Sequence, residues 1–272
     1  MNTMLVNDWP YPRWIAHRGA GLLAPENTLA AFRVGAQHGY RMFECDAKLS
    51  ADEVVFLMHD DRLERTSSGT GVAGDVLWQA LSRLDAGTWH SRSFAGEPLC
   101  TLDAVAHFCI ANHFALNIEI KPTPGVEYRT GECVAAAVQR LWQGQALQPV
   151  LTSFKEDALA GAKSVAPALR RGLLLSHWAS DSLAKAERLS CVALVCNHTL
   201  WDASRVQAAK ALVVCSRVSS TRKSRNTRVR WGMNLRVGTA AYMLNRPVIH
   251  GASTRTSSPR VRYGATMSIA TE

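Results

Sequence analysis

The chain has 272 residues, 47% of them hydrophobic, which is enough for one large α/β domain with a full core. Its net charge of +9 is unevenly placed: residues 1–210 carry 20 Lys and Arg against 21 Asp and Glu, whereas residues 211–272 carry 11 against the single acid Glu272. The body is therefore near neutral, which removes bulk charge as a reason to expect a nucleic-acid partner, and no run of 18 apolar residues exists to span a bilayer.

Seven cysteines make an odd count with no C-x-x-C pair. Cys45, Cys109, Cys133, Cys191, Cys196 and Cys215 sit in apolar runs, where buried thiols are ordinary. Residues 1–14 lack the basic cluster and apolar stretch of a signal peptide. These features predict a reduced, cytoplasmic protein.

In chain order, the short apolar run at residues 13–17 predicts a strand. Residues 27–38 carry Leu29, Phe32, Val34 and Ala36 in helical register, with Pro25-Glu26-Asn27-Thr28 at the start and Gly39 as the stop. Residues 41–46 and 54–59 read as strands too close together for a parallel crossover, so they form a hairpin turning at Ala51 and Asp52. A two-residue turn sets Ser50 opposite Glu53 and His59 opposite Glu44, and a longer turn would slip that register by one. Residues 60–98 are polar and Gly-rich, with Trp78, Trp89 and Phe94, and read as an inserted loop region. Strands at 115–120, 150–153, 172–175, 192–196 and 212–215 then alternate with helices at 102–111, 132–142, 156–165, 182–189 and 202–209. With the hairpin return set aside, this predicts seven parallel strands. The pattern stops there: residues 217–230 hold six Arg and Lys among Ser, Thr and Asn, and residues 231–272 have no clear period.

The predicted strands end in ionisable residues, which are costly in a core and useful at the mouth of a barrel. Glu44 and Asp46 are two apart and share a face, as do Glu119 and Lys121. Neighbouring carboxylates repel, and one would take up a proton unless a cation intervened. An all-oxygen set of Glu44, Asp46 and Glu119 suits a divalent cation, Mg²⁺ or Ca²⁺. His17 and His59 offer an acid–base pair. Arg18 and Lys121 offer fixed positive charge for a phosphodiester anion. Taken singly, each has a plainer reading, as acids paired with surface arginines, structural histidines or ordinary salt bridges; taken together they point to phosphodiester chemistry.

The strings AHRG, PENT, E-x-D, LMHDD and NIEIKP, in this order and spacing, resemble the glycerophosphodiester phosphodiesterases, most of all their small cytosolic bacterial members. The resemblance covers residues 9–210 and includes RLERTSSG, LDAGTW, LTSF and RGLLL. It implies a TIM (β/α)8 barrel of the phospholipase-C-like phosphodiesterase type, with a β-hairpin extension after the second strand. It also implies metal-dependent hydrolysis of a small-molecule glycerophosphodiester to sn-glycerol 3-phosphate and an alcohol. His17 and His59 would be acid and base, Glu44, Asp46 and Glu119 the metal ligands, and Arg18 and Lys121 the phosphate contacts. No nucleic acid is expected as a partner.

The resemblance ends at Leu212-Val213-Val214, which begins the next strand; Cys215-Ser216-Arg217 replaces its end, so the last βα unit is degenerate. Residues 1–215 are expected to form the barrel domain and residues 216–272 an aberrant basic tail, poorly packed from about Arg217. Only residues 237–249 are apolar enough there for a helix or strand. So abrupt a shift in composition suggests a change of reading frame, with a genuine basic tail or an unfamiliar eighth unit as alternatives. Two other functional readings stand beside the enzyme: an impaired, unstable product of a frame-shifted gene, and nucleic-acid binding through the tail. The tail offers Trp231, Tyr242 and Tyr263 as its aromatics and no binding motif.

Overall fold

The computed structural model describes residues 9–215 and 241–242, with side chains for residues 9–210. Helix α1 (Leu29–Gln37) begins at Thr28, whose hydroxyl accepts the Ala31 N–H at 3.2 Å, and stops before Gly39 at φ +86°. Strand β1 (Met42–Leu49) is buried along its whole length. Strand β2 (Val55–Leu57) returns antiparallel to it, pairing Leu49 with Val55, Lys48 with Phe56 and Ala47 with Leu57. The Ser50 N–H donates to the Val54 carbonyl at 3.1 Å, which leaves three residues in the turn, the last of them Glu53 at φ +61°. Three-residue hairpin loops need a left-handed residue at the end, and a glutamate there carries no signal of it. The register is therefore one residue off the two-residue expectation: the Asp46 backbone carbonyl accepts the Met58 N–H at 2.9 Å, and His59 does not lie opposite Glu44.

The inserted region contains the short α2 (Trp78–Leu81) and packs its own small core of Phe56, Met58, Leu63, Leu81 and Leu99. The chain continues as α3 (Leu102–Ala111), β3 (Ala115–Ile120), α4 (Glu127–Leu141), β4 (Val150–Ser153), α5 (Glu156–Val165), β5 (Arg170–Leu175), α6 (Ser182–Arg188), β6 (Ala193–Cys196) and α7 (Ala203–Cys215). A two-residue strand, β7 (Ala241–Tyr242), pairs antiparallel with β6. The sheet order is β2-β1-β3-β4-β5-β6-β7, parallel from β1 through β6. This is the strand–helix alternation of a TIM (β/α)8 barrel, of which the described residues form an arc.

Two expected strands change. Residues 13–17 contribute one bridge, Ala16 to Phe43, near the start of β1, short of the Ala47–Leu49 stretch that β2 pairs with. A strand with a single hydrogen-bonded neighbour has little to hold its ends. Residues 212–215 belong to α7, because no Gly, Pro or Asn after Ala209 stops the helix begun at Ala203. The parallel run among the described residues is thus five strands and a bridge, not seven. The frame change and the poor packing expected of the basic tail lie outside the described residues; Ala241–Tyr242 falls inside the stretch 237–249.

The main core joins Phe32, Phe43, Leu102, Val105, Leu116, Ile118, Val138 and Leu151 between the sheet and helices α1, α3, α4 and α5. Helices α4 and α5 cross with glycines at the contact. A Cβ on Gly131 would run into the Ala158 carbonyl, and one on Gly161 into that of Tyr128. Among the described residues no helix is long and apolar enough to cross a membrane, and the six described cysteines are unpaired.

Candidate active site

Strands β1 and β3 pair so that Asp46 faces Glu119 and Glu44 faces Asn117. Alternation along β1 brings Glu44 and Asp46 to one face, and one carboxylate oxygen from each of Glu44, Asp46 and Glu119 lies within 4.8 Å of the others. Among the described residues this is the one group of acids, histidines or cysteines spaced to hold a metal ion. Burial and the charge of Asp46 push Glu44 well above the usual carboxylate range and Glu119 up to about 7. Burial would raise Asp46 as well, but Arg18, His59, Lys121 and a hydrogen bond from Asn27 together hold it low. Glu44 Oε2 accepts the Arg18 backbone N–H at 3.0 Å, while Oε1 is buried with no hydrogen-bond partner. An orphaned carboxylate oxygen among three crowded acids fits an oxygen-seeking divalent cation.

The histidines flank this cluster. His17 Nε2 lies 3.8 Å from Glu44 Oε2, with the side chain 49% exposed. Desolvation, and then the Arg18 charge, hold its pKa down to about 4. His59 Nδ1 pairs with Asp60 Oδ1 at 2.7 Å, and Lys121 Nζ stands 2.9 Å from His59 Nε2. An ammonium can only donate, so Nε2 carries the lone pair and Nδ1 the proton. Burial lowers the His59 pKa, and the Asp46 charge only partly offsets it. The slipped hairpin register therefore leaves His59 at the cluster, reached across the sheet by Lys121, which also donates to Glu119 Oε1 at 3.1 Å. Arg18 Nη1 donates to Glu26 Oε1 at 2.7 Å, and its Nε lies 3.3 Å from Asp46 Oδ2. All seven residues expected from the sequence thus meet in one place.

A family sequence profile described as the glycerophosphoryl diester phosphodiesterase family matches residues 17–234. The chain belongs to that family. Its fold resembles that of an Oleispira antarctica phosphodiesterase solved in complex with the product sn-glycerol-3-phosphate, with a TM-score of 0.67 and 33% identity over 74% of this chain and 81% of that one. A glycerophosphodiester phosphodiesterase from Agrobacterium tumefaciens str. C58 gives a TM-score of 0.60 and 29% identity over 73% of this chain and 82% of that one. In sequence, the Bacillus subtilis protein YhdW is 40% identical over 121 residues, 43% of this chain and 49% of that protein. The glycerophosphodiester phosphodiesterase of Caldanaerobacter subterraneus subsp. tengcongensis is 34% identical over 164 residues, 59% of this chain and 65% of that protein. The chain thus spans about half to two thirds of the length of these curated relatives.

Within this glycerophosphoryl diester phosphodiesterase family member, further residues without an assigned task in the sequence reading hold the site in shape. Asn27, buried at φ +58°, donates its Nδ2 to Asp46 Oδ2 at 2.8 Å and accepts the Asp46 N–H on Oδ1 at 3.0 Å. Lys48, wholly buried, donates to Asp61 Oδ1 at 2.9 Å and to the Lys121 carbonyl at 3.0 Å. The i, i+2, i+4 spacing of Glu44, Asp46 and Lys48 is a signal that could have found it. Glu26, Asp60 and Arg65 lie in the strings PENT, LMHDD and RLERTSSG, but contacts between separate loops leave no periodic trace that would have brought them together.

Proposed function

We propose that this chain hydrolyses glycerophosphodiesters to sn-glycerol 3-phosphate and an alcohol, with Glu44, Asp46 and Glu119 holding Mg²⁺ or Ca²⁺. The observation that carries this is the convergence of three carboxylates on one point, with two histidines and two fixed cations at its edge. The product named for the Oleispira antarctica neighbour supports the same product here.

A bound divalent cation supplies Lewis-acid polarisation of a phosphoryl oxygen and lowers the pKa of a nearby hydroxyl. Arg18 and Lys121 receive the phosphodiester anion and stabilise the charge that grows on it. His59 takes the nucleophile's proton on Nε2, while Asp60 holds the ring in that tautomer and stabilises the imidazolium. The nucleophile is water, which gives glycerol 3-phosphate directly, or the substrate's own glycerol 2-hydroxyl, which gains from proximity and leaves a cyclic phosphodiester that water then opens to glycerol 3-phosphate. His17 protonates the leaving alcohol; a phosphodiester anion beside it raises its low proton affinity.

The test is release of glycerol 3-phosphate from glycerophosphocholine by the purified chain with Mg²⁺ or Ca²⁺. The expected result is metal-dependent release that stops in excess EDTA, and full activity in EDTA would overturn it. A second reading, a chain with its site intact but its activity lost, rests on residues 212–215, which continue α7 where the sequence predicts a strand. Binding of the cation without release of product would select it.

A further inference from the structure

The side chains around the acidic cluster form two arms of linked polar and charged groups that start from neighbouring carboxylates. From Glu119 the contacts run to Lys121, His59 and Asp60, and from Asp46 they run to Arg18 and Glu26. Arg65 joins the two arms. Its Nη1 donates to Glu26 Oε2 at 3.0 Å, its Nη2 to Glu26 Oε1 at 2.8 Å and to Asp60 Oδ1 at 2.9 Å, and its Nε to Asp60 Oδ2. One planar guanidinium thus grips two carboxylates, Glu26 from the loop before α1 and Asp60 from the loop after β2.

We propose that Arg65 is a positioning residue for the hydrolysis, fixing the proton-accepting His59 and the phosphate-binding Arg18 relative to each other through Asp60 and Glu26. This rests on the function proposed above. Asp60 Oδ1 accepts from both His59 Nδ1 and Arg65 Nη2, so a rotation of Asp60 that released Arg65 would release the histidine as well. Glu26 Oε1 likewise accepts from both Arg18 Nη1 and Arg65 Nη2. The Arg65 side chain is 45% exposed, and exposed ion pairs add little to stability. Its loss is expected to appear in the geometry of the site before it appears in the fold.

The experiment compares Arg65→Met and Arg65→Lys with the wild-type chain. Arg65→Met is expected to lower kcat about tenfold or more and to raise KM, since both arms slip, with the thermal midpoint unchanged. Arg65→Lys restores the charge but not the double fork and recovers only part of the loss. Adding Asp60→Asn to Arg65→Met is expected to lower kcat by less than Asp60→Asn does alone, because the two act through one link. Lys121 on Nε2 keeps the Nδ1–H tautomer in both proteins, so the readout independent of turnover is the downfield His59 Nδ1–H resonance, expected to report a firm hydrogen bond to Asp60 in wild type and to move upfield with faster exchange in Arg65→Met. An unchanged Nδ1–H resonance in Arg65→Met, whatever the rates do, overturns the proposal. Failure of the wild type to release glycerol 3-phosphate would sink the functional reading instead, and the Nδ1–H comparison would still decide the role of Arg65.

Discussion

Asp46 lies opposite Glu119 in adjacent strands, and Glu44 sits two residues back on the same face. Asp46 can point at a cation only while something holds its other oxygen, and Asn27 does so from both sides of the residue. Asn27→Ala is expected to weaken Mg²⁺ or Ca²⁺ binding by about 10–100-fold, as loss of an outer-shell partner typically does, and titration calorimetry would read it. His59→Ala and His17→Ala are expected to cut glycerol 3-phosphate release by about 10²–10⁴ while the cation still binds. Retained activity in either would remove that histidine from the chemistry. The seven residues expected at the site were legible because each is an ionisable type closing an apolar run, where burial needs a reason, although Glu44 and Asp46 lie inside β1. Asn27 was visible only as part of a helix start, since nothing in its spacing shows that a left-handed backbone turns its amide onto Asp46.

The elements α3, β4 and α5 fall where their apolar spacing puts them, because each is closed by its own local signals. The hairpin turn and α7 do not. The turn depends on one glutamate in a glycine-like conformation, and α7 runs through a β-branched pair, Val213-Val214, that reads as a strand when taken alone. Propensity is a weak guide when a helix already under way meets no stop. The crossing of α4 and α5 yields a prediction of its own. Gly131 and Gly161 each sit under a carbonyl of the opposite helix, so neither contact can relax by rotating a side chain. Gly131→Ala is expected to destabilise the protein by about 1–3 kcal/mol, seen as a lower urea midpoint with the slope unchanged.

For the protein as a unit, the acidic cluster ties stability to pH. Burial and the Asp46 charge push Glu119 up to about 7, above an ordinary glutamate near 4.5, and raise Glu44 as well. The unfolded chain therefore gains from ionisation over that window, and the fold loses stability as pH rises from about 4.5 through 7. The lowered His17 and His59 work the other way up to about pH 6.5, so without cation the thermal midpoint is expected to fall from about pH 6.5 to pH 8. Added Mg²⁺ or Ca²⁺ is expected to raise it more at pH 8 than at pH 5, because the ligands are then already ionised. A midpoint unmoved by cation at pH 8 would show that the cluster does not hold one. The strand–helix alternation was legible from apolar runs alone, while the barrel class came from the family resemblance. The number of strands was not, since a bridge and a helix end both look like strands when only apolar runs are counted.

The sheet order also sets a sequence of events in time. From β1 to β6 every strand lies beside the one made just before it, with the hairpin return on the outer edge. The three acids, both histidines, Arg18, Arg65 and Lys121 all precede Pro122. As the chain leaves the ribosome, these groups are present before β4 has been synthesised, and domains generally fold from the N-terminal side during synthesis. The charged residues can therefore find their partners while one side of the sheet is open to water. Glu119 gains its second strand neighbour, Thr152, only when β4 arrives, so the acids can meet their cations before the sheet is complete beside them.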